Sequence, residues 1–377
     1  MSQHSIPIAD PDIGPAEQDR VQSILEGGRL ADGPVVREFE TAFADYCGAD
    51  HGVATANGTA ALHAALAAAG IGPDDAVITT PFSFVASANS IRFCGATPVF
   101  ADIDPETYTL DPEAVRAAVE EREDAAAILV VHLYGLPAEM DRLREIAAEH
   151  DLLLIEDAAQ AHGAAYDGTT VGTIGDVGCF SFYPTKNMTT GEGGMVVTDD
   201  LDIAERASRF INHGRGDTST HGYDHVEVGY NYRMMSMAAA IGLEQLQKLP
   251  EYNERRRTNA SLLSDLLAPV TELGLPVEPP GTRHVYHQYT VRCRDRAALR
   301  DHLRAHEVDT GVYYPAVIPD QPAYDRFDPD VPVARQVADE VVSLPIHPGL
   351  DETELRRVGR AVRSHYDDAV PEGEIVD

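Results

Sequence analysis

The sequence predicts an α/β protein, and three observations carry that expectation. Helical patterns alternate with short apolar runs from about Ala16 to Val197. Runs such as Leu152-Leu-Leu-Ile155, bounded by turn residues, read as strands buried on both faces, which belongs to a largely parallel sheet of βαβ units. After Pro279-Pro280 the pattern changes to one strand-like segment and three helical ones, the mark of a smaller α+β unit.

The elements follow in order. Strands are expected at Val53–Ala56, Ala76–Thr79, Pro98–Ala101, Ala127–Val131, Leu152–Ile155, Gly178–Phe182 and Met195–Thr198. Between them Ala60–Ala69 is alanine-rich with Leu62 and Leu66 one turn apart, and Met140–His150 has apolar residues at 143, 146 and 147. Both predict helices that cover the sheet. A long helical pattern, Met237–Leu249, breaks at Pro250 and resumes through Leu267. Because proline removes a helical donor and crowds the preceding turn, a hinge is expected there, with a large domain over 1–249 and a small α+β domain over 250–377. In the latter a strand is expected over Val285–Val291 and helices near Ala297–His306, Ala334–Val342 and Glu352–His365.

Composition excludes several functions. The 377 residues carry 29 Lys+Arg against 62 Asp+Glu, a formal charge of −33. Binding nucleic acid through phosphates needs clustered cations, and no basic patch is present in the sequence. The longest apolar run, Ala125–Val131, is far shorter than the ~18 residues of a membrane span. The opening residues lack a basic segment followed by an apolar core, so a cytoplasmic protein is expected. Cys47, Cys94, Cys179 and Cys293 have no metal or redox spacing and are expected to be reduced and mostly buried. Lysine is the oddest count, since only Lys186 and Lys248 occur. Acid excess with scarce lysine resembles proteins of salt-saturated cytoplasm, where self-repulsion is screened within about 3 Å at 1 M salt. Dependence on molar salt is therefore expected.

Chemistry is sought first at the scarce amine. Lys186 lies between a strand-like run and a glycine-rich turn, in FSFYPTKNMTTGEGGMV (180–196). A lysine that forms a Schiff base cannot be replaced by arginine, whose guanidinium stays protonated. Glu156-Asp157 end an apolar strand, and ligands of open α/β sheets sit beyond the carboxyl ends of strands. A carboxylate such as Asp157 is what the ring nitrogen of pyridoxal phosphate needs, since the protonated ring is the electron sink. At ~4 Å and an effective dielectric near 20 it contributes about 4 kcal/mol, roughly three pKa units. The same acidic pair also fits a helix cap or a solvated turn.

Asn57-Gly-Thr59 follows a strand and opens a helix, so free N–H groups and the helix dipole make a phosphate seat, with Thr59 adding a hydroxyl. The triplet is equally an ordinary turn and cap. Phe84, in Pro81-FSFVAS-Ser87, offers a ring to a flat cofactor or to the core. Competing motifs fail: no G-x-G-x-x-G follows a strand, neither lysine sits in a P-loop, and His132, His162 and His213 lack ligand spacing. No metal is expected.

With Lys186, Asp157 and the 57–59 turn in that chain order, the sequence resembles the DegT/StrS family of sugar aminotransferases. The likeness extends over most of the chain. It begins at GRLADGPVVREFE (28–40) and runs through NGTAALHAAL (57–66), DIDPETYTLD (102–111), VHLYGLPAEMD (131–141) and EDAAQAHGA (156–164). It continues in FSFYPTKNMTTGEGGMV (180–196), GYNYRMMSMAAAIGLEQL (229–246) and SLPIHPGLDETEL (343–355). The resemblance implies the aspartate-aminotransferase-like type I fold, with a three-layer αβα large domain, and pyridoxal 5'-phosphate as cofactor. It implies that Lys186 forms the Schiff base and shuttles the proton, that Asp157 pairs with the ring nitrogen, and that Gln160 lies near the ring's phenolic oxygen. Phe84 would stack on the ring, Gly58, Thr59 and Ser181 would hold the phosphate, and the site would form at a homodimer interface with Asn231 reaching in from the partner.

The implied reaction moves an amino group from an amino acid, by resemblance glutamate, to a nucleotide-linked keto sugar for glycan synthesis. The run Thr189-TGEG-Gly194 looks more like members that aminate C4 than those acting at C3. Arg29, Arg215 and Arg233, in glycine- or asparagine-containing loops, are candidates for the substrate diphosphate, and each also suits a surface ion pair. Tyr313 and Pro319 stand where many relatives have histidines, a departure that bears on sugar recognition. Two other readings stay open at this point: a pyridoxal-phosphate dehydratase acting on sugars, in which relatives replace the lysine by histidine, and a non-catalytic regulatory protein on the same fold.

Overall fold

The computed structural model describes residues 5–216 and 224–366. Helices α1 (Pro15–Gly27) and α2 (Pro34–Cys47) precede the sheet. Then strands β1 (His51–Thr55), β2 (Ala76–Thr79), β3 (Thr97–Phe100), β4 (Ala125–Val131) and β5 (Leu153–Asp157) are joined by α3 (Gly58–Ala68), α4 (Ala86–Phe93), α5 (Pro112–Glu120) and α6 (Met140–Glu149). Short strands β6 (Ala165–Tyr166) and β7 (Thr169–Thr170) lead to β8 (Val177–Ser181), β9 (Gly194–Thr198) and α7 (Leu201–Ile211). The strands expected from sequence in this half are all present, within a few residues of the expected ends.

The main sheet has seven strands in the order β1-β9-β8-β5-β4-β2-β3. Six run parallel; β9 alone runs antiparallel to both its neighbours. Side chains alternate across the sheet as the pleat requires. Val53, Val77, Leu129, Ile155, Val177 and Val196 pack on one face beneath α3, α4 and α7. Ala54, Phe180, Met195 and Val197 face α2 and the start of a long later helix, while Ile78, Ile128, Val130 and Leu154 face α5 and α6. Apolar residues on both faces of each strand give three layers, αβα.

The later helix, α8, runs unbroken over Ser236–Leu267 with Pro250 inside it, where the sequence predicts an interruption. Proline costs one donor, but the two halves are anchored in different cores: Leu243, Leu246 and Leu249 pack with α2, and Ala260, Leu263 and Leu267 pack with the C-terminal elements. Those elements are β10 (Thr282–Arg283), which pairs with β6, then β11 (Tyr289–Arg292), α9 (Arg296–Ala305), α10 (Pro332–Glu340), β12 (Val341–Leu344) and α11 (Glu352–Tyr366). β11 and β12 form an antiparallel pair. Pairing in the segment expected as a strand over 285–291 is confined to Tyr289 onward. The helix expected to Val342 stops at Glu340 because the buried, β-branched Val341-Val342 join β12.

Candidate active site

Parallel pairing explains how distant residues meet. β1, β5 and β8 point the same way, so the turn after Thr55, the carboxylate of Asp157 and the hydroxyl of Ser181 all arrive at one edge of the sheet. There they line a cleft of about 690 Å³, together with Lys186, Gln160, Phe84 and Tyr313. The sequence-predicted residues Gly58, Thr59, Phe84, Asp157, Gln160, Ser181, Lys186 and Tyr313 are thus brought together.

The last two residues of β5 have opposite duties because successive side chains leave opposite faces. Glu156 is fully buried and accepts backbone N–H bonds from Gly172 (2.6 Å), Ile174 (2.7 Å) and Gly175 (2.6 Å). His132 stands 2.8 Å from it through Nε2, and since its Nδ1 accepts from the Ala138 N–H, Nε2 is the donor. This network fixes the strand end and leaves Asp157 turned into the cleft. Asp157 is 5 % exposed; its Oδ2 accepts from the Ser87 hydroxyl at 2.8 Å and its Oδ1 from the Ala159 N–H at 3.2 Å. Burial raises its pKa, and the hydroxyl of Ser87 and the N–H of Ala159 oppose that rise.

Lys186 follows β8 in a loop whose turn is closed by its own N–H donating to the Tyr183 carbonyl. Its ammonium has no carboxylate within salt-bridge distance among the described residues. Burial lowers its pKa to about 8, with the charge of Asp157 pulling the other way. An amine so placed is in part unprotonated near neutral pH, as a nucleophile requires.

The phosphate seat is built by Asn57, the N-cap of α3, whose side chain accepts from the Ala60 N–H at 2.9 Å. The N–H groups of Gly58 and Thr59 then begin the helix with no acceptor among the described residues, at the positive end of its dipole. Gly58 is required by contact: a Cβ there would lie 2.6 Å from Cβ of Ser181. Phe84 is 56 % exposed, so its ring is free to cover a flat ligand, and it faces Tyr314 at 6.3 Å. Gln160 Nε2 donates to the Tyr314 hydroxyl (2.8 Å) while its Oε1 accepts the Tyr134 N–H (2.7 Å). Unpaired N–H donors and hydroxyls at a helix start, a buried carboxylate, an exposed ring and an amine of lowered pKa together fit pyridoxal phosphate.

Four predicted residues lie outside the cleft of the single chain. Arg29 is exposed beyond α1, Arg215 is exposed after α7, and Asn231 is exposed with its backbone bridged to Asn212. Arg233 donates to Oδ1 of Asn212 at 2.8 Å and its backbone bridges Thr55, beside the seat but not lining it. Pro319 is buried in a short 3₁₀ turn. Conversely, Ser87, His63, Tyr314 and His287 belong to the site without having been picked out from sequence. Ser87 lies in the first turn of α4, three residues past Phe84 in the segment already singled out; Tyr314 neighbours Tyr313; His63 and His287 carried no signal.

Fold and site fit a pyridoxal-phosphate-dependent enzyme, and the comparisons make it a sugar aminotransferase. Residues 11–363 match the DegT/DnrJ/EryC1/StrS aminotransferase family, to which the chain belongs. It is 42 % identical over 353 residues to the dTDP-3-amino-3,4,6-trideoxy-alpha-D-glucose transaminase of Streptomyces venezuelae, covering 92 % of both chains. It is 41 % identical over 352 residues to a pleiotropic regulatory protein of Geobacillus stearothermophilus, covering 92 % of this chain and 93 % of the other. The crystal structure of S. venezuelae DesV in complex with a ketimine intermediate superposes with a TM-score of 0.93 at 39 % identity, over 98 % of this chain and 100 % of that one.

Proposed function

We propose that the enzyme transfers an amino group from glutamate to C4 of a nucleotide-linked keto sugar for amino-sugar and glycan synthesis, working as a homodimer. Lys186 carries the reading: a lysine with its pKa lowered to about 8, sharing a cleft with Asp157 and a phosphate seat. A lysine here, where eliminating relatives have histidine, supports transfer over dehydration. The C4 assignment rests on the Thr189–Gly194 run, and the donor on family resemblance.

Pyridoxal phosphate, when bound, supplies the electron sink and carries the nitrogen between two successive substrates. Gly58, Thr59 and Ser181 would hold its phosphate, joined by Asn231 of the partner subunit. Asp157 would pair with the ring nitrogen, Gln160 would lie by the ring oxygen and Phe84 would cover the ring face. Lys186 would hold the cofactor at rest through Nζ and, as a free amine, would accept a proton and deliver it again. The dimer reading is supported by an apolar rim on the single chain, where Phe93, Tyr183, Tyr230 and Met235 are exposed. Arg29, Arg215, Arg233 and Tyr313 are assigned to the sugar nucleotide, cations being needed for a diphosphate in so acidic a chain.

The test is an absorbance spectrum in molar salt before and after glutamate, followed by keto sugars on different nucleotides with the nitrogen located by NMR. Conversion of the cofactor by glutamate and donor nitrogen in the product support the reading; elimination without nitrogen transfer overturns it.

A further inference from the structure

Only two of the 29 cationic side chains are lysines, and the second has a specific place. Gln245, Lys248 and Tyr252 lie three and four residues apart and so share one stripe of α8. Lys248 Nζ is 2.6 Å from Oε1 of Glu17, a carboxylate with no solvent exposure, and 3.5 Å from Oδ2 of Asp12. Tyr252 donates to that same Oδ2 at 2.5 Å. Glu17 also accepts the Gly14 N–H through Oε2 at 2.9 Å, so it staples the start of α1.

Gln245 joins this anchor to the loop that carries Lys186. Its Nε2 donates to Glu17 Oε1 and to the Asp12 carbonyl, both at 2.7 Å. Two acceptors on that side require the NH₂ end of the amide to face them, which leaves Oε1 for the other side. There it accepts the backbone N–H of Thr189 at 3.3 Å. The Thr189 hydroxyl donates to the Phe182 carbonyl (2.9 Å) and accepts the Gly191 N–H (3.0 Å), so this residue closes the loop. Removing the cation would leave the buried Glu17 charge with neutral donors alone, the Gly14 N–H and the Gln245 amide, the costly half of a broken ion pair.

We propose that Lys248 is a positioning residue for Lys186, acting through Glu17 and Gln245 on the backbone of Thr189. This rests on the reading of Lys186 as the reacting amine. Asn187, next to Lys186, is tied separately to Asn253 (2.8 Å) and the Val285 carbonyl (3.1 Å), so Gln245 fixes the far side of the loop. Displacing a reacting group by about 1 Å can cost on the order of a hundredfold in rate.

The test compares Lys248→Met and Gln245→Leu holoenzymes with the natural protein, well below each melting temperature. The readouts are kcat, KM for glutamate, and amide exchange at Thr189 against Val196 of the sheet. The expected result is a kcat about tenfold lower, KM within about twofold, and Thr189 exchange at least about tenfold faster with Val196 unchanged. Natural kcat and Thr189 protection in folded variants, or exchange that rises equally at Val196, would overturn the proposal. If Lys248→Met does not fold, Gln245→Leu decides, since its ion pair stands. Lys186→Ala is measured alongside: turnover in that variant defeats the parent reading, whereas its silence together with unaffected Lys248 and Gln245 variants defeats the positioning role alone.

Discussion

The hydroxyl of Ser87 donates to Oδ2 of Asp157 across 2.8 Å, joining α4 to the end of β5 over a separation of 70 residues. Bonds to a charged group contribute about 1.5–3 kcal/mol, so Ser87→Ala raises the Asp157 pKa further and weakens its hold on the cofactor ring. The expected outcome is a kcat lower by roughly tenfold to a hundredfold. Steady-state kinetics check it, and an unchanged kcat would show that Ser87 is dispensable.

Lys186→Ala and Lys186→Arg should both abolish transfer and the cofactor's visible absorbance band, because guanidinium stays protonated and does not attack a carbonyl. Absorbance spectroscopy and product analysis are the checks. Turnover in the arginine variant would sink the mechanism.

Burial lowers Lys186 from the ordinary 10.5 to about 8 in the protein without cofactor. Below pH 8 the charged amine destabilises the fold in full. Between about 8 and 10.5 the unfolded chain binds more protons than the folded one, so this contribution rises with pH. Lys186→Met removes it. The variant should therefore melt above the natural apoprotein at pH 7, with the gap closing as pH rises toward 10.5. Paired melting curves across that range decide.

Gly58→Ala would set a Cβ 2.6 Å from Cβ of Ser181, so either the helix start or the strand end must shift. Overpacking of this kind costs about 1–3 kcal/mol, and here it falls on the phosphate seat. Cofactor affinity should drop about tenfold or more in a fluorescence titration.

With a formal charge of −33, dilute buffer should unfold the protein or lower its melting temperature, and molar salt should restore both fold and activity. Equal melting in dilute buffer and molar salt would defeat this.

Much of the site was legible because βαβ units place strand ends, and the groups beyond them, at one edge. Asn57-Gly-Thr59 and Asp157 could be located that way, Lys186 by its rarity, and Ser181 through the family resemblance. The strand order was not legible. Nothing local in Gly194–Thr198 says that it inserts between β1 and β8 in the opposite direction. Nor does Pro250 announce a continuous helix, since what tolerates it is packing of the two halves in separate cores. His63 and His287 reach the cleft through tertiary folding alone. Arg29 and Arg215, picked as loop cations, and Asn231, read from family likeness, stand outside the single chain's cleft.

The insertion of β9 also sets an order of events in synthesis. β1, which ends at the phosphate seat, lies at the sheet edge; its one strand neighbour among the described residues is β9, in the register Thr55 to Gly194, and its last residue is bridged by Arg233, later still in the chain. A ribosome-bound chain that stops short of Thr198 therefore has no complete strand partner for β1, however well β2 to β5 have associated. Long-range pairings of this kind form late, so the cofactor's anchor is completed only after most of the large sheet has emerged. Until then the alanine-rich α3 is an apolar surface waiting for its floor, the stage at which a chaperone would have most to hold.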